Sequence, residues 1–93
     1  MSGNRFRKRP VEVRALQWVG GPYECLNEFC GKNWSRADAV EEVGPNDTEN
    51  VVVWNTKERQ WLNVPVGHWI ICGIAGEFYP CDPQVFEATY EPV

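Results

Sequence analysis

The chain has few of the side chains on which catalytic and metal sites are usually built. Its 93 residues include one histidine and one methionine. The G-x-S-x-G, H-E-x-x-H, G-x-x-x-x-G-K-[ST] and G-x-G-x-x-G patterns are all missing, and with them the signatures of serine hydrolases, zinc proteases, P-loop enzymes and dinucleotide-binding enzymes. A catalytic nucleophile also needs a base that a third group orients. The sequence therefore predicts a protein that is not an enzyme, with a small enzyme as a minor alternative.

Long apolar segments are also missing. No apolar run approaches the roughly 20 residues that a membrane-spanning helix needs. The basic start of the chain, "MSGNRFRKRP", is not followed by the apolar segment of a secretory signal. We therefore expect a cytoplasmic protein that does not insert into a membrane.

The four cysteines do not have the spacing of a metal site. Cys25 and Cys30 are separated by four residues and Cys72 and Cys81 by eight, whereas zinc ligands are usually paired as C-x2-4-C. On a shared helix, Cys25 and Cys30 would lie about 140° apart in projection, which is a poor geometry for one ion. We expect free, mostly buried thiols, with no metal, no cofactor and no structural disulfide.

The charge is divided unevenly along the chain. Residues 1–14 hold five basic side chains and one carboxylate, a net charge of +4, whereas residues 15–93 hold four basic and twelve acidic side chains, a net charge of −8. Phosphate contacts supply most of the affinity for nucleic acid, so the acidic body predicts no nucleic-acid binding. We expect residues 1–9 to form a mobile basic arm and residues 10–93 to form a single globular domain.

The apolar pattern predicts an α+β fold, with a small, mostly antiparallel sheet of about five strands and two short helices. The strands are expected over 10–18, 50–55, 60–64, 68–72 and 77–81, with a weaker signal over 39–43. In the first strand, Val11, Val13 and Ala15 alternate with Glu12 and Arg14, so the three apolar residues are expected on the buried face. This strand should pair with 68–72, because both carry strong buried signals.

Two segments have helical patterns. A helix of about ten residues is expected within 20–34, with Pro22 at its first position and Gly31 as its C-terminal cap. A second helix is expected over 82–90, with Asp82 as N-cap and Pro83 at the first helical position. Its apolar residues that can pack on the sheet are Val85, Phe86 and Tyr90. The polar residues 35–50 predict a loop between the two halves of the chain.

The only histidine lies in a glycine-rich and proline-rich segment, "PVGHWIICGIAGEFYPCDP" at 65–83. His68 follows a turn glycine at the start of a strand, where a surface or edge imidazole is expected. Cys72 lies four residues further on, about 13 Å away along a strand, which is too far for a hydrogen bond. The glycines and prolines of this segment therefore predict turns between strands rather than a catalytic site.

The C-terminal sequence "VPVGHWIICGIAGEFYPCDPQVFEATYEP" resembles a family of small bacteriophage proteins. In that family a Pro-Gly-Asp-Tyr/Trp turn is followed by an IIxGxxGEFYPC strand pair and a PxxFxxTYE terminus. The opening "KRPVEVRALQWVG" is similar to the start of the same family, so the likeness covers roughly residues 8–19 and 64–91. The chain departs from the pattern at the turn, where His68 replaces the usual aspartate and Val66 is inserted. No catalytic role is therefore carried over.

The resemblance implies a protein of phage origin, from an actinobacterial phage, with a small α+β fold and a place in the cytoplasm of the bacterial host. Phage proteins of this size often bind one host protein and disable or modulate it, in host takeover or superinfection exclusion. A DivIVA-type coiled-coil scaffold of the cell pole is one such target. An accessory role in the virion or its assembly is the alternative, and a homodimer is a further expectation.

The candidate partner-binding residues are two tryptophans of the central hairpin and two arginines of the arm, namely Trp61, Trp54, Arg7 and Arg9. Tryptophan is enriched at interface hot spots. If Leu62 and Val64 face the core, Trp61 faces outward, whereas the sequence allows Trp54 either face. In the alternative interpretation, all five tryptophans belong to the core or to a small second core under the 35–50 loop. The basic arm would steer association with an acidic partner.

Overall fold

The computed structural model describes residues 3–7, 9–39 and 49–93. Within them, the six strands are β1 (Arg14–Gln17), β2 (Trp34–Arg36), β3 (Val51–Asn55), β4 (Gln60–Val64), β5 (Trp69–Cys72) and β6 (Phe78–Cys81). The two helices are α1 (Glu24–Cys30) and α2 (Pro83–Thr89). The predicted α+β class is confirmed. No helix in these residues is both long enough and apolar enough to cross a membrane.

The prediction of one sheet of about five strands is wrong, because the strands form two antiparallel sheets of three. The orders are β1-β5-β6 and β2-β3-β4. Pro80 of β6 helps to separate them. The residue opposite Pro80 is Ile70 of β5, which makes its backbone hydrogen bonds with β1. The nitrogen of Pro80 therefore faces away from β5. Because proline has no N–H to donate, a hydrogen-bond ladder between this outer edge of β6 and β3 is interrupted.

Strand β1 pairs with β5 as predicted, from Arg14↔Cys72 to Gln17↔Trp69. It is shorter than the expected 10–18, and its core-facing side is the opposite one. Leu16 packs against the core, whereas Val11 is 48% exposed and Ala15 is half-buried. Alternation misidentified the buried face because α2 covers the other side of this sheet, so both faces carry apolar residues.

The central hairpin is confirmed as β3 and β4, with the register Trp54↔Trp61 at its centre. Strand β2 falls at the start of the predicted 35–50 loop and pairs with β3, and a 3₁₀ turn over Ala37–Ala39 follows it. The weak strand predicted over 39–43 lies, apart from Ala39, outside the described residues. Since β2 is three residues long and rich in polar side chains, its apolar pattern was too short to detect.

Helix α1 has seven residues instead of about ten. Pro22 lies before the helix in a cis peptide bond with Gly21, and Tyr23 is the N-cap. Gly31 is the C-terminal cap as predicted, with a φ of 62° that disfavours other residues.

Helix α2 begins as predicted, because the Asp82 carboxylate accepts hydrogen bonds from the backbone N–H groups of Gln84 and Val85, at 2.8 and 3.3 Å. Phe86 stacks on Trp69 of β5, with ring centroids 3.9 Å apart and an interplanar angle of 7°. Val85 does not pack on the sheet and is 55% exposed, because it lies on the other side of this short helix.

The main core lies between the two sheets and α1. Its fully buried or nearly buried members are Trp18, Leu26, Cys30, Val51, Val53, Val64, Ile70 and Phe78. Both sheets and α1 contribute to this core, whereas the fully buried Val52 and Ile71 lie outside it, on the opposite faces of the two sheets.

Candidate functional site

The tryptophans of the hairpin lie on the face of the β2-β3-β4 sheet that points away from the main core. Val64 is buried in the core and Leu62 packs against it, so Trp61 points to the opposite side, as the alternation in β4 predicted. Trp54 is the direct cross-strand partner of Trp61 and shares its face, which decides the orientation that the sequence left open. Both rings are half-buried.

The geometry of the ladder brings the two rings into contact. The backbone N–H of Trp54 donates to Asn33 O at 2.9 Å, so Trp54 directs its backbone bonds toward β2 and forms a non-hydrogen-bonded pair with Trp61. Side chains approach closest in such pairs. The ring centroids are 5.4 Å apart at an interplanar angle of 67°, an edge-to-face contact of the kind that aromatic quadrupoles favour.

The hairpin tryptophans differ from Trp18 and Trp34 in their hydrogen bonding. The indole N–H of Trp18 donates to Glu49 O at 2.7 Å, and that of Trp34 donates to Asn27 Oδ1 at 2.9 Å. Within the described residues, the indole N–H groups of Trp54 and Trp61 have no such acceptor. A partner could therefore gain both apolar contact and hydrogen bonds on this face.

The predicted arginines are not part of the same cluster. Arg7 and Arg9 are exposed and lie outside any strand or helix. In the described part of the chain neither forms an ion pair and neither guanidinium lies over an aromatic ring. Their guanidinium groups are available to an acidic partner, but this structure does not join them to the hairpin.

The structure contains a polar link between the two sheets that the sequence did not predict. The buried Asn55, at the end of β3, donates from Nδ2 to Phe78 O of β6 at 2.8 Å. Its Oδ1 accepts the backbone N–H of Glu58 at 2.8 Å. One amide therefore shapes the β3–β4 turn and joins the two sheets. The neighbouring open cleft, of about 500 Å³, is lined by Asn55, Lys57, Glu58, Leu62, Glu77, Tyr79 and Pro80.

Glu77 is one of the residues that line this cleft. Its Oε1 accepts the Ala75 N–H at 3.0 Å, and its Oε2 lies 3.4 Å from Lys57 Nζ. A Cβ on Gly73 would overlap the carboxylate, so a larger residue there would displace the Glu77 side chain from these contacts. The hydrogen bond from its own backbone N–H, followed by those of Lys57 and Ala75, holds the pKa of Glu77 below its usual range, although burial acts in the opposite direction.

We expect Glu77→Gln to make the free energy of unfolding less dependent on pH in the acid range. Because the folded-state pKa of Glu77 is lowered, its carboxylate stabilises the fold above the unfolded pKa, and this contribution is lost as the pH falls below about 4. Urea unfolding between neutral pH and pH 2 measures the effect. Glu87→Gln, at an exposed position of α2, should leave the curve unchanged. Identical pH profiles for wild type and Glu77→Gln would contradict this assignment.

An aromatic stack connects β1, α1 and β2. The centroids of Trp18 and Tyr23 are 5.7 Å apart at 16°, and those of Tyr23 and Trp34 are 5.4 Å apart at 17°. Trp18 is fully buried and Tyr23 is partly exposed. Trp18 and Tyr23 lie on either side of the "GGP" turn and Trp34 lies beyond α1, so their stacking depends on the turn and could not be read from periodicity.

The cysteines are free thiols, and Cys30 is buried. Burial, followed by the nearby Cys72 and Cys25, raises the pKa of Cys30 to about 12. Its thiol is therefore protonated at neutral pH and is a poor nucleophile. Among the residues that the structure describes, no three His, Cys, Asp or Glu side chains are grouped to hold a metal ion.

The structure uses His68 through its backbone. Its C=O accepts the Trp18 N–H at 2.9 Å, and its N–H donates to Pro65 O at 3.1 Å. These bonds close the turn before β5. The half-buried imidazole forms no hydrogen bond or ion pair with the described residues, so the geometry offers no base–nucleophile pair at this position.

Comparisons of the chain with protein-family models, with curated proteins and with solved structures found no match. The similarity to phage proteins, together with the host, partner and compartment that it implies, stays a prediction.

Proposed function

We propose that the protein is a phage-encoded binding module that acts in the cytoplasm of the bacterial host, where it binds one host protein and modulates or inactivates it. The observation that carries this proposal is the Trp54–Trp61 pair, which lies on a sheet face outside the main core. The phage origin and the host compartment rest on the sequence resemblance alone.

The hairpin has the composition of a small interface centre. Hot spots are enriched in tryptophan, and a polar rim usually surrounds them. The two half-buried rings form an apolar centre whose indole N–H groups lack acceptors in the described part of the chain. The four residues of the adjoining turn, 56–59, are all exposed and include charged side chains of both signs. The edge-to-face packing of the rings also lowers the entropy lost when a partner immobilises them.

The basic arm supports a partner with an acidic surface. Arg7 and Arg9 are exposed, and residues 1–14 carry a net charge of +4. Such a segment increases the rate of association more than the final affinity. A DivIVA-type coiled-coil scaffold of the cell pole is consistent with this chemistry, because coiled coils present rows of charged side chains at their e and g positions.

We expect Trp61→Ala to fold and to lose the partner. Truncation of an interface tryptophan costs at least about 2 kcal/mol when it is a hot spot, which is roughly a thirtyfold loss of affinity. Tagged wild-type and variant proteins would be incubated with nuclease-treated actinobacterial lysate, and the captured proteins identified by mass spectrometry. The affinity of the purified partner would then be measured for each variant by calorimetry.

Val85→Ala is the matched control. Val85 is exposed on α2, which packs on the β1-β5-β6 sheet, so this substitution should leave capture unchanged. Circular dichroism verifies that each variant is folded. Equal capture by folded Trp61→Ala and wild type would contradict the proposed surface, and an unfolded Trp61→Ala would favour the interpretation in which Trp61 belongs to a second core. Recovery of nucleic acid alone from an untreated lysate would contradict the proposed class of partner.

A further inference from the structure

Strand β1 is the open edge of its sheet. In the described part of the chain, β5 pairs with β1 on one side and no strand pairs with it on the other. The backbone N–H of Trp18 donates to His68 O on the β5 side. Since successive residues of a strand direct their backbone groups to opposite sides, the N–H and C=O groups of Ala15 and Gln17 point to the unpaired edge.

This edge lacks the protection that the opposite edge of the sheet has. On β6, Pro80 has no N–H to offer, and Asn55 Nδ2 occupies the Phe78 carbonyl. On the β1 side, residues 9–12 before the strand are exposed, with Val11 at 48%, and Val13 is half-buried. Unpaired, uncovered edges are templates for pairing with another chain.

We propose that β1 of a second copy of the chain pairs with this edge in antiparallel orientation, about a two-fold axis at Val13. The β1-β5-β6 sheets of the two copies then form one sheet of six strands. Antiparallel pairing brings outward-directed residues opposite one another whichever residue lies on the axis, and an axis at Glu12 or at Arg14 would place that charged side chain opposite its own copy. Such a self-complementary contact closes after two copies.

The charges of the edge select the register. With the axis at Val13, Glu12 lies directly opposite the partner's Arg14 in a non-hydrogen-bonded pair, where side chains are closest. Symmetry produces this ion pair twice, and Val11 lies opposite the partner's Ala15. An axis at Ala15 would place Arg14 opposite the partner's Leu16, and an axis at Val11 would place Glu12 opposite the partner's Pro10. Only the Val13 axis pairs opposite charges.

The same register gives the basic arm a position. If the pairing continues toward the N-terminus, Arg9 lies opposite the partner's Gln17 and Arg7 lies opposite the partner's Val19, which is 63% exposed. The partner residues that the arm passes, 15–19, are uncharged, so the arm meets no like charge along this strand. The paired edge lies on the other sheet from Trp54 and Trp61, so the dimer leaves that face free, and only the basic arm with Arg7 and Arg9 takes part in both proposals.

Charge exchange tests the register. Glu12→Arg alone and Arg14→Glu alone each place like charges opposite one another in a homodimer. Since cross-strand charge pairs contribute modestly and two are reversed by symmetry, we expect each variant to dimerise about tenfold more weakly than wild type. An equimolar mixture of the two variants restores both opposite-charge pairs and should form a heterodimer as stable as the wild-type dimer. Sedimentation velocity over the micromolar range measures all four samples.

Two further variants separate pairing from folding. Val13→Pro removes an N–H that faces away from β5, so it should abolish the dimer and leave the circular dichroism spectrum unchanged. Glu87→Arg makes the same charge change as Glu12→Arg on the exposed surface of α2 and should have no effect. Arg14 lies 5.0 Å from the centre of the Phe29 ring, so folding of Arg14→Glu is verified first, with Glu12→Arg as the variant free of that contact.

A wild-type chain that stays monomeric throughout the concentration range would overturn the proposal. Undiminished dimerisation of Glu12→Arg or of folded Val13→Pro would also overturn it, and so would a mixture that associates no better than its components.

Discussion

Replacing Trp18 with alanine should lower the free energy of unfolding by about 3–5 kcal/mol. This is a large part of the stability of a domain of this size. The side chain is fully buried in the core between the two sheets. Its indole N–H satisfies Glu49 O, and its ring supports the stack with Tyr23 and Trp34. The variant therefore loses apolar burial, a hydrogen bond and the support of two neighbouring rings.

Urea unfolding followed by circular dichroism measures this loss. Trp18→Phe keeps an aromatic ring but removes the donor to Glu49 O, so its expected loss is smaller, about 1–3 kcal/mol. Trp69→Ala is the matched control, since Trp69 is half-buried and stacks on Phe86 at the outer face. A loss for Trp18→Ala no greater than for Trp69→Ala would show that Trp18 is not central to the fold.

Asn55→Ala should have the second-largest effect, about 2–4 kcal/mol. The substitution leaves the buried Phe78 carbonyl without the Nδ2 donor and the Glu58 N–H without its acceptor. An unsatisfied buried polar group costs about 1–3 kcal/mol. Because the same amide shapes the hairpin turn and joins the two sheets, its loss affects both. Chemical unfolding of the purified variant gives the value.

Asn63→Val provides a control of the opposite sign. Asn63 lies in the adjacent strand, and its Oδ1 is buried with no hydrogen-bond donor among the described residues. Its replacement by a β-branched apolar residue removes an unsatisfied oxygen and suits a strand. We expect unchanged or slightly higher stability. Equal destabilisation by the two substitutions would mean that the Asn55 hydrogen bonds are not the cause of its effect.

Local pairings in this fold could be predicted from the sequence, whereas the division into two sheets could not. The β3–β4 hairpin has β-branched and aromatic runs on either side of a polar turn, and each run is sufficient to indicate a strand. The arrangement of the two sheets depends on Pro80, which interrupts a ladder between β6 and β3, and on the hydrogen bond from Asn55 to Phe78, 23 residues away, which joins the sheets. No local pattern contains that information.

The first strand shows why alternation alone can identify the wrong face. Val11, Val13 and Ala15 give a clear period of two, but the core side of β1 is formed by Leu16, and Trp18 follows it into the core. The apolar residues on the other face of this sheet pack under α2, as the stacking of Phe86 on Trp69 shows. When a sheet is covered on both sides, neither face is polar, and alternation cannot show which face is directed to the main core.

The candidate site was partly accessible to sequence reasoning. The outward direction of Trp61 followed from the apolar positions beside it, and the register then placed Trp54 on the same face. The contacts of Glu77 with Lys57 and Ala75 were not predictable, because each residue alone is typical of a surface turn. Only the tertiary structure brings the tips of the two hairpins together.

The edge-to-face arrangement of Trp54 and Trp61 also has an optical consequence. Two indoles with centroids 5.4 Å apart and planes inclined by 67° share their electronic excitations, and coupled transitions of unlike orientation produce a pair of circular dichroism bands of opposite sign. The nearly parallel rings of Trp18, Tyr23 and Trp34 lack that inclination. The hairpin thus contains its own chromophore pair, and a ligand that separates the rings would be visible without any added label.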